Sequence, residues 1–298
     1  MFAGTWGPAA SVDGTGSQAN FFFIADMAFD GDGNLLVLDS AIRKVTPAGA
    51  VSTLASPRAF SVIAIDRSGP AFVGEWQFGP CRLGTCSFGG SIYRLASTGE
   101  ASTLTGVNSL GGLVAASGDL YWTDSQMHAI RKLSAAGDLT MVTGIEGSRG
   151  SEDGPRGTAR FNFPAGLAID RAGNLYVADS SNHTIRKVAT DGAVTTLAGS
   201  PGAIGSNDGA GSAARLNSPA GLAVDDTGNL YVADAGNCIV RKVSPAGMVT
   251  TVAGSAGACD VFIGGALPGA LHWPRRVAVK GNDLYIGMRH GIAVLRAP

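Results

Sequence analysis

The groups in this chain that could do chemistry are few and fall into four sets. Four cysteines come first: Cys81-x4-Cys86 has the spacing of a short cross-link, and Cys238 with Cys259 makes a second local pair. Two such bridges point to an oxidising compartment, extracellular or periplasmic. Four histidines follow, His128, His183, His272 and His290, of which three would have to converge to hold a catalytic zinc. The third set is acidic: Asp39, Glu75, Asp124, Asp179 and Asp234 stand at one recurring position. The fourth is Asp26 with Arg275 and Arg276, a carboxylate and two guanidinium groups that suit a polar or anionic ligand. The sequence offers no Ser-His-Asp spacing, phosphate loop or redox motif. A net charge of −1 supplies no basic field for a phosphate backbone, which argues against nucleic acid as a partner. No apolar run approaches ~18 residues, the length a spanning helix needs.

What must position these groups is a repeat. Residues 163–199, FPAGLAIDRAGNLYVADSSNHTIRKVATDGAVTTLAG, nearly recur as residues 218–254, a shift of 55. The first copy reads as four short strands, Gly166–Asp170, Leu175–Asp179, Thr184–Val188 and Val194–Ala198, divided by turns at Asp170-x-x-Gly173-Asn174 and Thr190-Asp191-Gly192. Runs such as Leu-Tyr-Val-Ala predict a sheet covered on both faces, and such a sheet repeated about an axis is a propeller blade. The 44 glycines and the charged content of only 15% fit a turn-rich β-protein. Equivalents of Gly166 are Asp26, Val62, Gly112, Gly221 and Arg276, so six blades start near 23, 60, 110, 163, 218 and 273. The last has only three strands before Pro298. Because Phe2-Ala3-Gly4 matches Leu197-Ala198-Gly199, residues 1–5 are expected to complete blade six beside Ala293–Arg296 and close the ring. The fold class is all-β, a six-bladed β-propeller in one domain over residues 1–298. No basic residue precedes Arg43, so the given chain shows no export signal, yet Met1 falls inside the closing strand. The natural chain is therefore expected to begin earlier, a removed export signal being one reading.

The pattern P-x-G-L-A-[IV]-D-x-x-G-N-L-Y-V-A-D-x-x-N-H-x-I-R-K-V resembles the NHL repeat, with Leu175, Asn182 and His183 at the positions behind that name. The resemblance runs through the chain and is strongest in blades four and five. It implies a six-bladed propeller of the bacterial NHL-repeat kind and gives His183, with His128 aligned to it, a structural place. It implies no single function, because relatives include RNA-binding modules, receptor sensor domains and a peptide-amidating zinc lyase.

Residues that recur from blade to blade are most simply explained by the blade. The strand-end carboxylates are expected to satisfy backbone donors, and the repeated Arg-Lys pairs to be solvated or paired between blades. The loop motif Asp-Gly-x4-Ala-x-[Phe/Leu], beginning at Asp13, Asp153 and Asp208, has too few oxygens for calcium and reads as a turn followed by an apolar plug. The departures carry the functional reading. At the channel mouth four blades offer Val or Gly, whereas blade one offers Asp26 and blade six Arg276, with Arg275 beside it. On the same face blade two carries the insertion Trp76–Gly90, whose Trp76, Phe78, Phe88 and Cys81/Cys86 pair suggest a pinned lid, and His290 adds a further contact. The chain is thus expected to be a monomeric module that binds a small polar or anionic molecule, or a peptide, at this mouth, with no cofactor or metal assigned. The alternative is an enzyme acting on a small molecule as lyase, hydrolase or isomerase. It would use Asp26, Glu75 and Arg276 as acid–base groups, or a metal at the same mouth.

Overall fold

The computed structural model describes residues 2–4, 11–55, 60–66, 69–82, 85–259 and 269–296, the side chains of 76–88 excepted. Six antiparallel sheets stand around one axis, and the inner strand of each neighbours the inner strands of the blades on either side. Those inner strands are Asp26–Phe29, Val62–Ile65, Leu113–Ala116, Pro164–Ile169, Pro219–Val224 and Arg276–Lys280. In blade four the sheet continues outward through Leu175–Asp179, Thr184–Val188 and Val194–Gly199. Alternation explains why its second strand is buried throughout. Leu175 and Val177 pack toward blade three with Ile130 and Phe161, while Tyr176 and Ala178 pack toward blade five with Leu222 and Val232.

Closure of the ring joins the two ends of the chain. Ala3–Gly4 pairs antiparallel with Gly291–Leu295 as Ala3↔Ile292 and Gly4↔Gly291, and the Phe2 amide donates to the Ile292 carbonyl at 2.8 Å. The contact falls at the start of that strand rather than beside Ala293–Arg296, because antiparallel pairing sets the end of one strand against the beginning of the other. Gly4 has φ +97°, and a Cβ there would lie 2.6 Å from the His290 carbonyl oxygen. Its counterpart Gly199 meets the His183 carbonyl in the same way. Glycine ends both outer strands for one steric reason.

The repeated arginines depart most from expectation. Arg43, Arg186 and Arg241 are fully buried, not solvated. In blade four Arg186 pairs through Nη1 with Asp179 at 2.8 Å and through Nη2 with Asp153 at 2.6 Å, and it also donates to the carbonyls of Arg160 and Glu152. Arg43 joins Asp39 to Asp13, and Arg241 joins Asp234 to Asp208, in the same geometry. The loop motif thus has a second job beside the apolar plug supplied by Phe21, Phe161 and Leu216, all fully buried. Its Asp also accepts the amide and hydroxyl of Thr53, Thr196 or Thr251 on the outer strand. Each arginine follows a bulge, with register shifts at Ile42/Arg43, Ile185/Arg186 and Val240/Arg241 that re-aim the side chain. Burial pushes the Asp179 carboxyl up to about 6, against the opposing pull of the Asn162 amide, Asn182 and Arg186.

Two stability predictions follow from these contacts. Deleting residues 1–4 exposes the edge Gly291–Leu295 and should lower the melting temperature by roughly 5 °C or more, and unchanged melting would show that closure does not depend on them. Arg186→Met leaves Asp179 buried without its cation and should cost about 3–5 kcal/mol in urea unfolding. Asp153→Ala, which removes a half-exposed acceptor, should cost about 1–2 kcal/mol. Equal costs for the two would refute the clamp.

Candidate functional site at the mouth of the channel

The six inner strands enclose a cavity of about 440 Å³ along the axis. They begin on the face that also carries the turns between second and third strands and the connections between blades, here called the upper face. Backbone crowding fixes most of the upper rim. A Cβ on Gly166 would lie 1.9 Å from the Ala220 carbonyl oxygen, and one on Gly221 2.5 Å from that of Arg275. Where blade six meets blade one the same approach is bridged by a side chain: Arg276 Nε donates to the Ala25 carbonyl at 2.6 Å and pairs with Asp26 Oδ1 at 3.2 Å. Asp26 also accepts the Met27 amide on Oδ1 and the Ile63 amide on Oδ2, both at 3.0 Å, so its carboxylate ties blades six, one and two. Burial raises its pKa, opposed by the Arg276 charge and the two amides. Arg276 Nη1 donates to the Arg275 carbonyl at 3.3 Å. One N–H on Nη1 and both on Nη2 are then left without a partner among the described residues. Asp26 and Arg276 both line the cavity, in a wall otherwise mostly Gly, Ala, Val, Leu and Ile until Asp30 and Asp66 at the lower end.

The other sequence candidates are placed differently. The Arg275 side chain is exposed on the upper face beside this pair. Glu75 accepts the Tyr93 hydroxyl and is not part of the channel wall. Val73 pairs with Tyr93 as Val177 pairs with Arg186, so Tyr93 and Glu75 occupy the arginine and aspartate places of blade two. His290 lies in the upper turn of blade six, its Nδ1 3.2 Å from the Phe21 carbonyl, with the His272 ring 6.2 Å away. His128 and His183 accept the amides of Phe163 and Ser218 through Nδ1, at 3.2 and 3.0 Å, each tethering its blade to the next. Among the described residues no three His, Cys, Asp or Glu gather to hold a metal.

Cys238 stands where His128 and His183 do, with the same left-handed backbone (φ 58° against 56° and 58°), and forms a disulfide with Cys259, Cα–Cα 5.2 Å. The bridge replaces the histidine tether of the two preceding blades. The blade-two insertion is a continuous hairpin, Ala71–Arg82 with Thr85–Leu95, rising from the upper face. Its backbone pairs Trp76 with Gly90, Phe78 with Phe88 and Cys81 with Cys86. The side chains of Trp76, Phe78, Phe88, Cys81 and Cys86 lie outside the described residues. Sequence reading passed over Phe23, Trp273 and Arg289, which share this face. The available signal was alignment: Phe23 and Trp273 stand three residues before Asp26 and Arg276.

A ring of six antiparallel sheets closed by the N-terminal strand defines a six-bladed β-propeller. Within that class the chain resembles NHL-repeat proteins: the NHL repeat matches residues 161–188 and the Teneurin NHL domain matches residues 203–283. It is 33% identical over 135 residues to Protein SUPPRESSOR OF QUENCHING 1, chloroplastic, of Arabidopsis thaliana, covering 42% of this chain and 13% of that one. It is 30% identical over 113 residues to human NHL repeat-containing protein 3, covering 37% and 29%. The matched stretch thus spans less than a third of either relative. An auxiliary nutrient binding protein from Bacteroides thetaiotaomicron superposes with a TM-score of 0.77 at 17% identity, over 98% of this chain and 75% of that one, a likeness of fold. No helix among the described residues is long and apolar enough to cross a membrane.

The bridge gives a direct test. In a Cys81→Ser/Cys86→Ser background, Cys259→Ser should lower stability by about 3 kcal/mol, since it frees a loop spanning a sequence separation of 21. Urea curves with and without reductant would check it, and no difference would remove the tether.

Proposed function

We propose that this propeller binds a small polar or anionic ligand, or the acidic end of a peptide, at the upper mouth of its channel. The observation that carries the reading is the Asp26–Arg276 pair on the cavity wall, with guanidinium N–H groups still to spend. A half-buried guanidinium at an apolar mouth presents a planar fork for carboxylate or phosphate. Arg275 adds charge on the same rim, and the hairpin of blade two extends from the same face. The nutrient-binding protein of like fold supports a small-ligand role, and the Cys238–Cys259 bridge supports an extracellular or periplasmic setting. The chain acts as a monomer in this reading.

The test is a calorimetric screen of small carboxylates and phosphates, followed by single variants. Arg276→Ala should weaken the best ligand by roughly 1.5–3 kcal/mol, the value of a hydrogen bond to a charged group. If the pair only locks the closure, Asp26→Ala/Arg276→Ala should lower melting and leave binding alone. Binding that survives Arg275→Ala and Arg276→Ala together places the site elsewhere.

A further inference from the structure

We infer that the upper face of the ring docks on an anionic lipid surface, the disc lying flat against the headgroups. The inference is independent of the small-ligand reading, since it uses neither Asp26 nor Arg276. It starts from where the fold leaves its exposed rings. Among the described residues four Phe or Trp side chains are exposed, Phe22, Phe23, Phe163 and Trp273. All four lie just ahead of an inner strand, those beginning at Asp26, Pro164 and Arg276, and so stand on the upper face. Ile204, 60% exposed, joins them between the upper turns of blades four and five, where Gly202 donates to the Asn182 carbonyl and Asn237 to that of Gly205. The lower turns carry no exposed aromatic ring among the described residues.

Arginines stand on the same face. Arg275 and Arg289 are exposed ahead of blade six and in its upper turn. Arg149 is exposed between the upper turns of blades three and four, where Gly147 donates to the Met127 carbonyl and Asn182 to that of Gly150. Among the described residues none of these three has an acidic partner, whereas the exposed acids of the connections, Asp13, Glu146, Glu152, Asp153 and Asp208, are each paired with an arginine of the chain. The lower turns are the reverse. Asp32, Glu100, Asp138 and Asp191 are exposed there without a basic partner among the described residues, while Arg171 pairs with Asp226 and Lys280 donates to the Gly33 carbonyl. Charge is thus graded along the axis, and a negatively charged plane would turn the upper face toward itself.

The spacing of the rings selects a plane over a pocket. Phe22 and Phe23 precede blade one, and Phe163 precedes blade four, which stands opposite across the ring. A protein partner is gripped by one cluster of anchors near the centre of its interface, and rings on opposite sides of an open channel supply no such centre. Each ring is partly buried, 38% to 49% exposed, and offers only its outer part. That is the disposition of shallow anchors at headgroup level, with guanidinium groups on the same face to meet phosphate and carboxylate. The blade-two hairpin extends from this face as well, and its sequence adds Trp76, Phe78 and Phe88.

Sedimentation of the full chain with phosphatidylcholine vesicles, with and without about 30% phosphatidylserine, tests this. The phosphatidylserine vesicles should be bound at least about tenfold more tightly, and raising NaCl from about 0.05 to about 0.5 M should remove most of that binding. Phe22→Ser/Phe23→Ser should weaken it roughly fivefold or more, and Arg149→Glu/Arg289→Glu roughly tenfold or more, each with melting close to that of the parent. Leu139→Ser, which alters a 52% exposed side chain on the outer strand of blade three, should leave binding unchanged. The calorimetric screen above contains no lipid, so either reading can fail without the other. Absence of vesicle binding leaves the upper face to a protein partner and overturns the proposal. So does binding that both double variants leave intact, or that Leu139→Ser weakens as much as they do.

Discussion

The buried guanidinium clamp is the interaction on which the rest of the ring depends. A charged group at the heart of a sheet stack is tolerable only if its donors are filled, and Arg186 fills them with two carboxylates and two carbonyls. Those acceptors come from the end of the second strand and from the connection that precedes the blade. The clamp therefore decides where each connection crosses, how its apolar plug seats between blades, and why Gly14–Thr15 and Gly209–Ala210 add a fifth strand to blades one and five. Blade three keeps the arginine without the Asp motif: Arg131 pairs with Asp124 and, in place of a motif Asp, with Glu146. Blade two substitutes Tyr93 and Glu75, a neutral version of the same contact. In blade six the equivalent places are Ala293 and Met288, both buried and apolar. The three clamped blades all follow long connections, so the clamp also shapes the uneven upper rim.

The mouth shows the converse. Around blades three to five the inner strands approach so closely that glycine is the residue that fits, and the rim is left chemically plain. At the closure a charged pair makes the contact instead, Arg276 donating to the Ala25 carbonyl and pairing with Asp26. The same pair of blades also receives the N-terminal strand. Ring closure and the proposed binding site thus share one junction, through the Asp26–Arg276 pair.

Much of this was legible beforehand. The six-fold count, the closing strand and the placing of Asp26 and Arg276 in neighbouring blades follow from a single alignment of repeats, because propeller blades present equivalent residues at equivalent heights. The buried arginines were misjudged because repetition alone does not separate a solvated stripe from an internal pair. A better signal was in the spacing, since Asp153 and Asp208 each precede their arginine by 33 residues and Asp13 precedes Arg43 by 30. Glu75 was read as chemistry because its equivalence to the strand-end Asp was not followed through to its partner Tyr93.

The closing strand also orders events in time. Ala3 pairs with Ile292, so the strand that opens the ring must wait for the blade that ends it before it finds its hydrogen bonds. Joining residues some 290 apart costs about 5 kcal/mol in chain entropy, which no single local contact offsets. Blades one to five can each form from neighbouring sequence, as hairpins that stack on what is already built. The sixth cannot, and until it does the outer edge of Gly291–Leu295 stays open to any passing strand. Birth of the ring is therefore a late, all-or-none event, and the Asp26–Arg276 junction of blades six and one comes into being at the same moment.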